Sequence, residues 1–459
     1  MRTKPTTQQS VLFSDLFGKP VVAVFSEQHA SSNGGAILLK AADRRLGLLD
    51  RLAACVGDAR QPGKVTHELA DLLGQRVYGL ACGYADVNDA GRIGADPIFK
   101  LLVDRDPVAG EDLASQPTLS RFENAATRKD LLRMGMALGE SVIERHRRRL
   151  RGRARRITID LDPTDDLTHG GQQLALFNGF YGGHCYLPLL GFLTFNDEPE
   201  QHLFTALLRP GNAEPKRGAF GILCRLLERL IDAFPKAKLL LRLDGGFAGP
   251  DLFEFLEAAG VDYVIGFGEN SVLRRQAEPA LRCARRRSRR TGESERVFTS
   301  CGYAARTWSR KRRIVIKAEV VRYPGRDLRD NPRFVVTTLS GSARHIYERE
   351  YARRGDLENR VKELKLSMQL DRTSCTRFLA NQFRVLMTAA AYVLLQEIRL
   401  RARRTRWARA QVGTLREQVF KLGARVAVSV RRIVLHLPAS CPDLNAWHRL
   451  ALALGARSG

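Results

Sequence analysis

Long apolar runs are missing from this chain. The longest candidate, Leu386 to Leu395, is about half of the ~18 residues needed to cross a bilayer. A membrane-spanning protein is therefore not expected. Paired cysteines are missing too. Cys55, Cys82, Cys185, Cys224, Cys283, Cys301, Cys375 and Cys441 are scattered, with no C-x-x-C and no zinc-type spacing to histidines. They read as reduced thiols, mostly in the core, and His184 beside Cys185 reads as a pair of strand neighbours. No phosphate-loop lysine motif occurs, which argues against nucleotide hydrolysis. Val11 to Phe25 is cut by Asp15, Lys19 and Pro20, unlike a secretory leader, so a cytoplasmic protein is expected. Negative charge is the scarcest commodity. Against 75 Lys+Arg stand 49 Asp+Glu, a net of +26 over 459 residues. Such an excess points to a polyanionic partner, most simply nucleic acid.

The apolar fraction of 44% suits a folded, multi-domain chain. Helical periodicity runs from about residue 35 to 145 and ends in the basic run Arg145 to Arg156, read as a phosphate-binding arm. Then the texture changes. Ile157 to Asp162 alternates strictly, with Thr158, Asp160 and Asp162 on one side. Strands are expected at Leu174 to Gly179 and His184 to Phe195, a helix at Gly218 to Phe234, and a buried parallel strand at Lys238 to Asp244. A helix from Pro250 and a strand at Val261 to Phe267 complete a β-β-β-α-β-α-β order, which suits a partly parallel sheet. Arg285 to Arg290 precedes three strand-like runs, 296–303, 313–323 and 333–339, read as an antiparallel insertion. Arg377 to Arg399 reads as an amphipathic or buried helix, and Arg401 to Arg432 as a basic helical region.

The segment YARRGDLENRVKELK carries Tyr351, Arg354, Glu358 and Lys365 at offsets of 0, 3, 7 and 14. On a regular α-helix these fall within roughly 60° of one another. One face then presents a carboxylate, two cations and a phenol, although Gly355 weakens the helix by roughly 1 kcal/mol. Asp162 and Asp244 end strand-like runs, and catalytic groups gather at the carboxyl ends of parallel strands. Three acids held close repel unless cations intervene, and two divalent ions neutralise them. Asp160 shares a side with Asp162 and stays open as the alternative ligand. Asp162 is preferred, because Pro163 ends the strand there. Asp165 and Asp166 read as caps or surface turn residues.

These residues resemble a known family. Tyr351, Arg354, Glu358 and Lys365 match the Y-x2-R-x3-E-x6-K signature of insertion-sequence DDE transposases, in the branch numbered thirteen-eighty. The stretch IDLDPTDDLTHGG from Ile159 resembles that branch's first-aspartate region, and LRLDGGF from Leu241 its second. The resemblance spans most of the chain. It implies an α/β fold: a ribonuclease-H-like catalytic core with a β-rich insertion, plus helical N-terminal and basic helical C-terminal regions. The boundaries expected are 1–150 for an N-terminal DNA-binding region, 151–268 for the first part of the core, 269–342 for the insertion, 343–400 for the helices with the glutamate, and 401–459 for the C-terminal region. It implies cut-and-paste transposition: binding of terminal inverted repeats, Mg²⁺-dependent cleavage and strand transfer. Asp162, Asp244 and Glu358 would bind two Mg²⁺ ions, with Mn²⁺ able to substitute. Tyr351, Arg354 and Lys365 would contact the transposon end. Trp308, in ARTWSRKRR, is a further candidate DNA contact, stacking on an unpaired base. Partners would be double-stranded DNA, as element ends and target, and a second copy of the chain, in the bacterial cytoplasm with the nucleoid. A catalytically silent DNA-binding derivative and a nuclease that cuts without joining are the rival readings.

Overall fold

The computed structural model describes residues 11–13, 17–323 and 326–457; the first ten residues and Asp15, used in the leader argument, lie outside that range. Among the N-terminal helices the two longest are α1 (Leu69–Cys82) and α2 (Arg128–Leu150). Thr127 starts α2 through a capping box with Asp130, which satisfies two otherwise unpaired amide donors. The basic run Arg145 to Arg156, whose first half lies within α2, is not an extended arm. Arg145 is buried, Arg149 pairs with Glu198, Arg156 with Glu350, and Arg151 closes the helix in the left-handed region at φ 51°.

One mixed sheet organises the rest. Its strands are β1 (Arg156–Pro163), β2 (Leu189–Phe195), β3 (His202–Leu207), β4 (Lys238–Leu243), β5 (Asp262–Phe267), β6 (Glu295–Tyr303), β7 (Arg312–Val321) and β8 (Arg333–Thr337). The spatial order is β6-β7-β8-β5-β4-β1-β2-β3, with Arg329–Asp330 pairing on β7. β1, β4 and β5 run parallel, and every other pairing is antiparallel. Helices α3 (Ala219–Ala233) and α4 (Pro250–Ala258) make the crossovers between the parallel strands. The long α5 (Ser271–Thr291) leads into β6. Helix α6 (Gly355–Leu366) and the central α7 (Phe378–Arg401) follow the sheet.

Two expectations need correction. The stretch Leu174 to Gly179 does not join the main sheet. It contributes Leu176–Asn178 to a small separate sheet with Asp166–Leu167 and Gly183–Tyr186. The third strand of the main sheet is β3, whose alternation is hidden because the polar His202 is fully buried against Arg145. Residues 401–459 are helical in part, including Leu444–Ala453, but not throughout. After a short helical stretch ending at Phe420, Ala424–Val428 and Ile433–His436 form an antiparallel pair. The β-branched residues of ARVAVSVRRIVLH favour that outcome over a helix.

The insertion strands extend the main sheet through the β8–β5 pairing rather than forming a body apart. The helix α5 ahead of them is obscured in sequence by its arginines and by Pro279. Its buried stripe is Leu273, Ala277, Ala280, Leu281 and Ala284, and Asn270 caps its first turn.

Helix α7 is buried almost all round, including 89% of its most apolar window. It is long and apolar enough to cross a membrane, yet its burial is that of a core helix. Its polar residues explain the location. Gln396 accepts from the Leu203 amide and donates to the Gln201 carbonyl, while Gln382 accepts from the Leu208 amide and donates to the Ala206 carbonyl. Two side-chain amides thus satisfy part of the outer, buried backbone edge of β3 and its flanks, which would otherwise be left unpaired. α1 packs on α7, and α2 on α7 and β3, so the N-terminal helices and the sheet share one apolar core. Ala30–Ser31 pairs with Ala424–Val428, which ties the two ends of the chain together.

Candidate active site

The register of two parallel strands builds the site. Arg242 of β4 lies opposite Asp160 of β1. Two residues on, with the same side-chain direction, come Asp244 and Asp162. Asp160 itself is fully buried, and both its oxygens accept from Arg242, at 2.6 and 2.8 Å. That pair is closed to any ligand. Asp162 and Asp244 lie beyond it at the strand ends, partly open. Asp244 also accepts from the Gly246 amide at 2.9 Å and so starts the turn Gly245–Phe247.

The same face of the sheet is covered by the segment that carries the Tyr-Arg-Glu-Lys pattern. Ile346 packs with Leu240, Val264, Val315 and Val335 in a small second core, and Tyr347 and Tyr351 lie at its margin. Glu350 fixes the segment to the sheet through a two-pronged pair with Arg156, both contacts at 3.0 Å, and its carbonyl accepts from Arg242. The segment is not one regular α-helix. Residues Ile346–Tyr351 form a π-helical stretch and Ala352–Arg354 a 3₁₀ turn before α6 begins. The rotation assumed from even spacing is therefore redistributed, as such π stretches often do at functional sites.

Arg354 meets both aspartates. Its Nη2 donates to Asp162 Oδ1 and stands 3.4 Å from Asp244 Oδ2. Its Nε is buried with no partner. Asp162 is pushed up to about 6, chiefly by burial; Arg354 opposes this, while the charges of Asp244 and Glu358 add to it. Glu358 thus lies within electrostatic reach of Asp162, but it is exposed and does not join the pair. Among the described residues no three acidic, His or Cys side chains are close enough together to hold a metal ion. Tyr351 is half-buried, and a Cβ at Gly266 would fall 2.6 Å from its hydroxyl, so only glycine fits there. Lys365 pairs with Asp165 at 2.9 Å. Asp166, expected at the surface, is fully buried and accepts from the Thr373 hydroxyl.

Trp308 is partly buried in an aromatic cluster. Its ring meets Phe253, Phe267 and Tyr303 at 5.3–5.5 Å, with the Arg312 guanidinium over it. Trp407 is fully buried.

Several positioning residues had no sequence signal. Glu363 of α6 accepts from the Tyr392 hydroxyl at 2.6 Å, from the Val412 amide, and from Arg399, which anchors the helix bearing Glu358 onto α7. Arg209 is buried and donates to the carbonyls of Leu187, Glu214, Pro215 and Arg217, holding a loop beside the Asp244 turn. A single arginine just past the end of a strand carries no pattern that would reveal such a role.

A family model described as transposase DDE domain group 1 matches residues 13–457. The chain belongs to the DDE transposase family. No curated protein matches this transposase-family chain significantly. DDE transposases typically use divalent metals, and the donors that come together here are two, Asp162 and Asp244. Two carboxylates that already share one cation, the Arg354 guanidinium, offer the hard oxygen ligands that Mg²⁺ or Mn²⁺ prefers.

Proposed function

We propose that this chain binds the terminal inverted repeats of a mobile element, cuts the DNA there and joins the freed 3′-hydroxyls to target DNA. The observation that carries this reading is the adjacency of Asp162 and Asp244 at the ends of two parallel strands, in a chain of the DDE family. Asp162, Asp244 and Glu358 are the residues that would hold two Mg²⁺ ions, with Mn²⁺ as substitute. When bound, the ions supply Lewis acidity at the phosphate and a more acidic water or hydroxyl.

The chain's own groups do the positioning. Arg354 neutralises the aspartates at rest, and its guanidinium would meet a phosphate brought to them. Tyr351 and Lys365 flank it on the same segment as further DNA contacts. Asp160 has a different job, holding Arg242 and so the register of the two strands. The sub-order β3-β2-β1-β4-β5 is read as a ribonuclease-H-like core, with β6, β7 and β8 as the inserted strands. The net charge of +26 suits a DNA partner, and pairing two element ends calls for two copies of the chain.

The test uses the full-length protein, Mg²⁺ and labelled DNA carrying the inverted repeats that flank the coding region. Cleavage with joined product supports the proposal. Cleavage that never yields joined product indicates a nuclease, and tight binding with no cleavage indicates a silent DNA-binding derivative.

A further inference from the structure

Helix α5 carries eight arginines and a single acid, Glu278. Its buried stripe, Leu273, Ala277, Ala280, Leu281 and Ala284, fixes which way the helix faces as it packs on β6 and β7. At about 100° per residue, Arg275, Arg282, Arg286 and Arg289 fall within roughly 60° of one another on the opposite side. All four are exposed. The carboxylates nearby are taken by other arginines: Arg285 binds Glu278 and Asp330, and Arg274 binds Glu269. Arg286 stands four residues from both Arg282 and Arg290 and three from Arg289, spacings at which like charges destabilise a helix. A polyanion laid along the row removes that repulsion. From Arg275 to Arg289 the row runs about 21 Å, and a DNA strand presents about six phosphates over that length.

The row and the acids lie on opposite faces of the sheet. Ile314, Ile316 and Ala318 of β7 belong to the main core with the α5 stripe, while Val315 belongs to the small second core with Leu240 and Ile346. β6 repeats the division: Val297 packs on the main core, and the Phe298 ring meets Tyr347 at 5.7 Å. Leu240 shares its side of β4 with Arg242 and Asp244. The Arg354 segment and the aspartates therefore occupy one face and α5 the other. DNA gripped by the arginine row is a different stretch from DNA at the acids.

We propose that the outer face of α5 is a second DNA-binding surface, which holds double-stranded DNA of any sequence by its phosphates while the element end occupies the acid pair. Guanidiniums on a helix whose inner side is fixed to a sheet grip phosphates, and phosphate contacts carry no sequence information. Duplex DNA fits better than a second copy of the chain, because another copy brings the same excess of +26. The inference rests on the DNA-joining reading above, whose target DNA is the duplex this surface would hold.

The test saturates the full-length protein with a short unlabelled duplex carrying the inverted repeat, with Ca²⁺ in place of Mg²⁺, and then titrates in a fluorescent duplex of unrelated sequence. The second duplex is expected to bind without displacing the first. Arg275→Gln, Arg282→Gln, Arg286→Gln and Arg289→Gln combined should weaken binding of the second duplex at least tenfold. The slope of log affinity against log salt should become shallower by about three to four, at roughly 0.9 per phosphate contact. Affinity for the short repeat duplex, and its cleavage with Mg²⁺, should stay as in the unaltered protein. Lysine at the same four positions should keep the second duplex bound. Failure of the saturated protein to take up a second duplex would overturn the proposal, as would an unchanged salt slope in the glutamine variant. Equal loss of repeat binding and second-duplex binding would place both on one surface and overturn it as well. If the unaltered protein holds both duplexes yet never cleaves or joins, the joining reading fails and the second surface stands.

Discussion

Arg354 holds Asp162 through Nη2, and the same nitrogen reaches Asp244 at 3.4 Å, so one guanidinium neutralises two strand-end carboxylates. Removing it leaves like charges facing each other in a partly buried place. Arg354→Gln is expected to lower stability by about 1–2 kcal/mol at neutral pH, less than a fully buried pair because the side chain is 20% exposed. Millimolar Mg²⁺ should recover most of that loss in a thermal melt, by binding the folded state only. A melt insensitive to Mg²⁺ in this variant would count against the aspartates as a cation site.

Asp160 and Asp162 differ by two residues and should differ sharply in behaviour. Asp160→Asn strands the buried Arg242 charge and should destabilise by about 3–5 kcal/mol. Asp162→Asn should change stability by less than about 1 kcal/mol, since burial already favours its neutral form, while abolishing cleavage. Denaturant titration of both variants checks this, and the reverse ranking would exchange their roles.

Asp166 gives the fold a pH dependence. Burial pushes its carboxyl from 3.8 up to about 7, and one of its oxygens has no partner. A raised native value means the stabilising contribution is complete below about pH 4 and is lost as pH rises through 7. Wild-type stability should therefore fall by about 2–4 kcal/mol across that window from this group. Asp166→Asn should flatten that part of the profile, as read from unfolding midpoints at pH 4, 6 and 8. An unchanged slope would show that another group governs it.

The central strands and most helices were legible because their patterns are local. Ile157 to Asp162 alternates, and Lys238 to Leu243 is a short apolar run, so both strands and their terminal aspartates stand out in sequence. What stayed hidden depends on distant partners. β3 is a strand because α7 satisfies its outer backbone through Gln382 and Gln396, a relation spanning nearly two hundred residues. The buried state of Asp166 depends in the same way on Thr373. The grouping of Tyr351, Arg354, Glu358 and Lys365 was readable as an even helical face. The segment instead has π and 3₁₀ turns and is anchored through Glu350 to the distant Arg156, which no local spacing records.

DNA binding should weaken steeply with salt, through release of counterions from the phosphates. If six or more phosphates are neutralised, affinity for the inverted-repeat duplex drops roughly a thousandfold between 50 and 200 mM salt. Fluorescence anisotropy measures it directly. A flat response would show that the charge of +26 is not used for DNA.

The central claim is that Asp162, Asp244 and Glu358 act together on divalent metal. The most direct measurement counts Mn²⁺ bound to the protein–DNA complex by electron paramagnetic resonance, for the unaltered chain and for Glu358→Gln at equal DNA occupancy. Two bound ions in the unaltered complex, with at least one lost and DNA affinity retained in Glu358→Gln, is the expected result. Equal Mn²⁺ occupancy in both proteins would contradict the account.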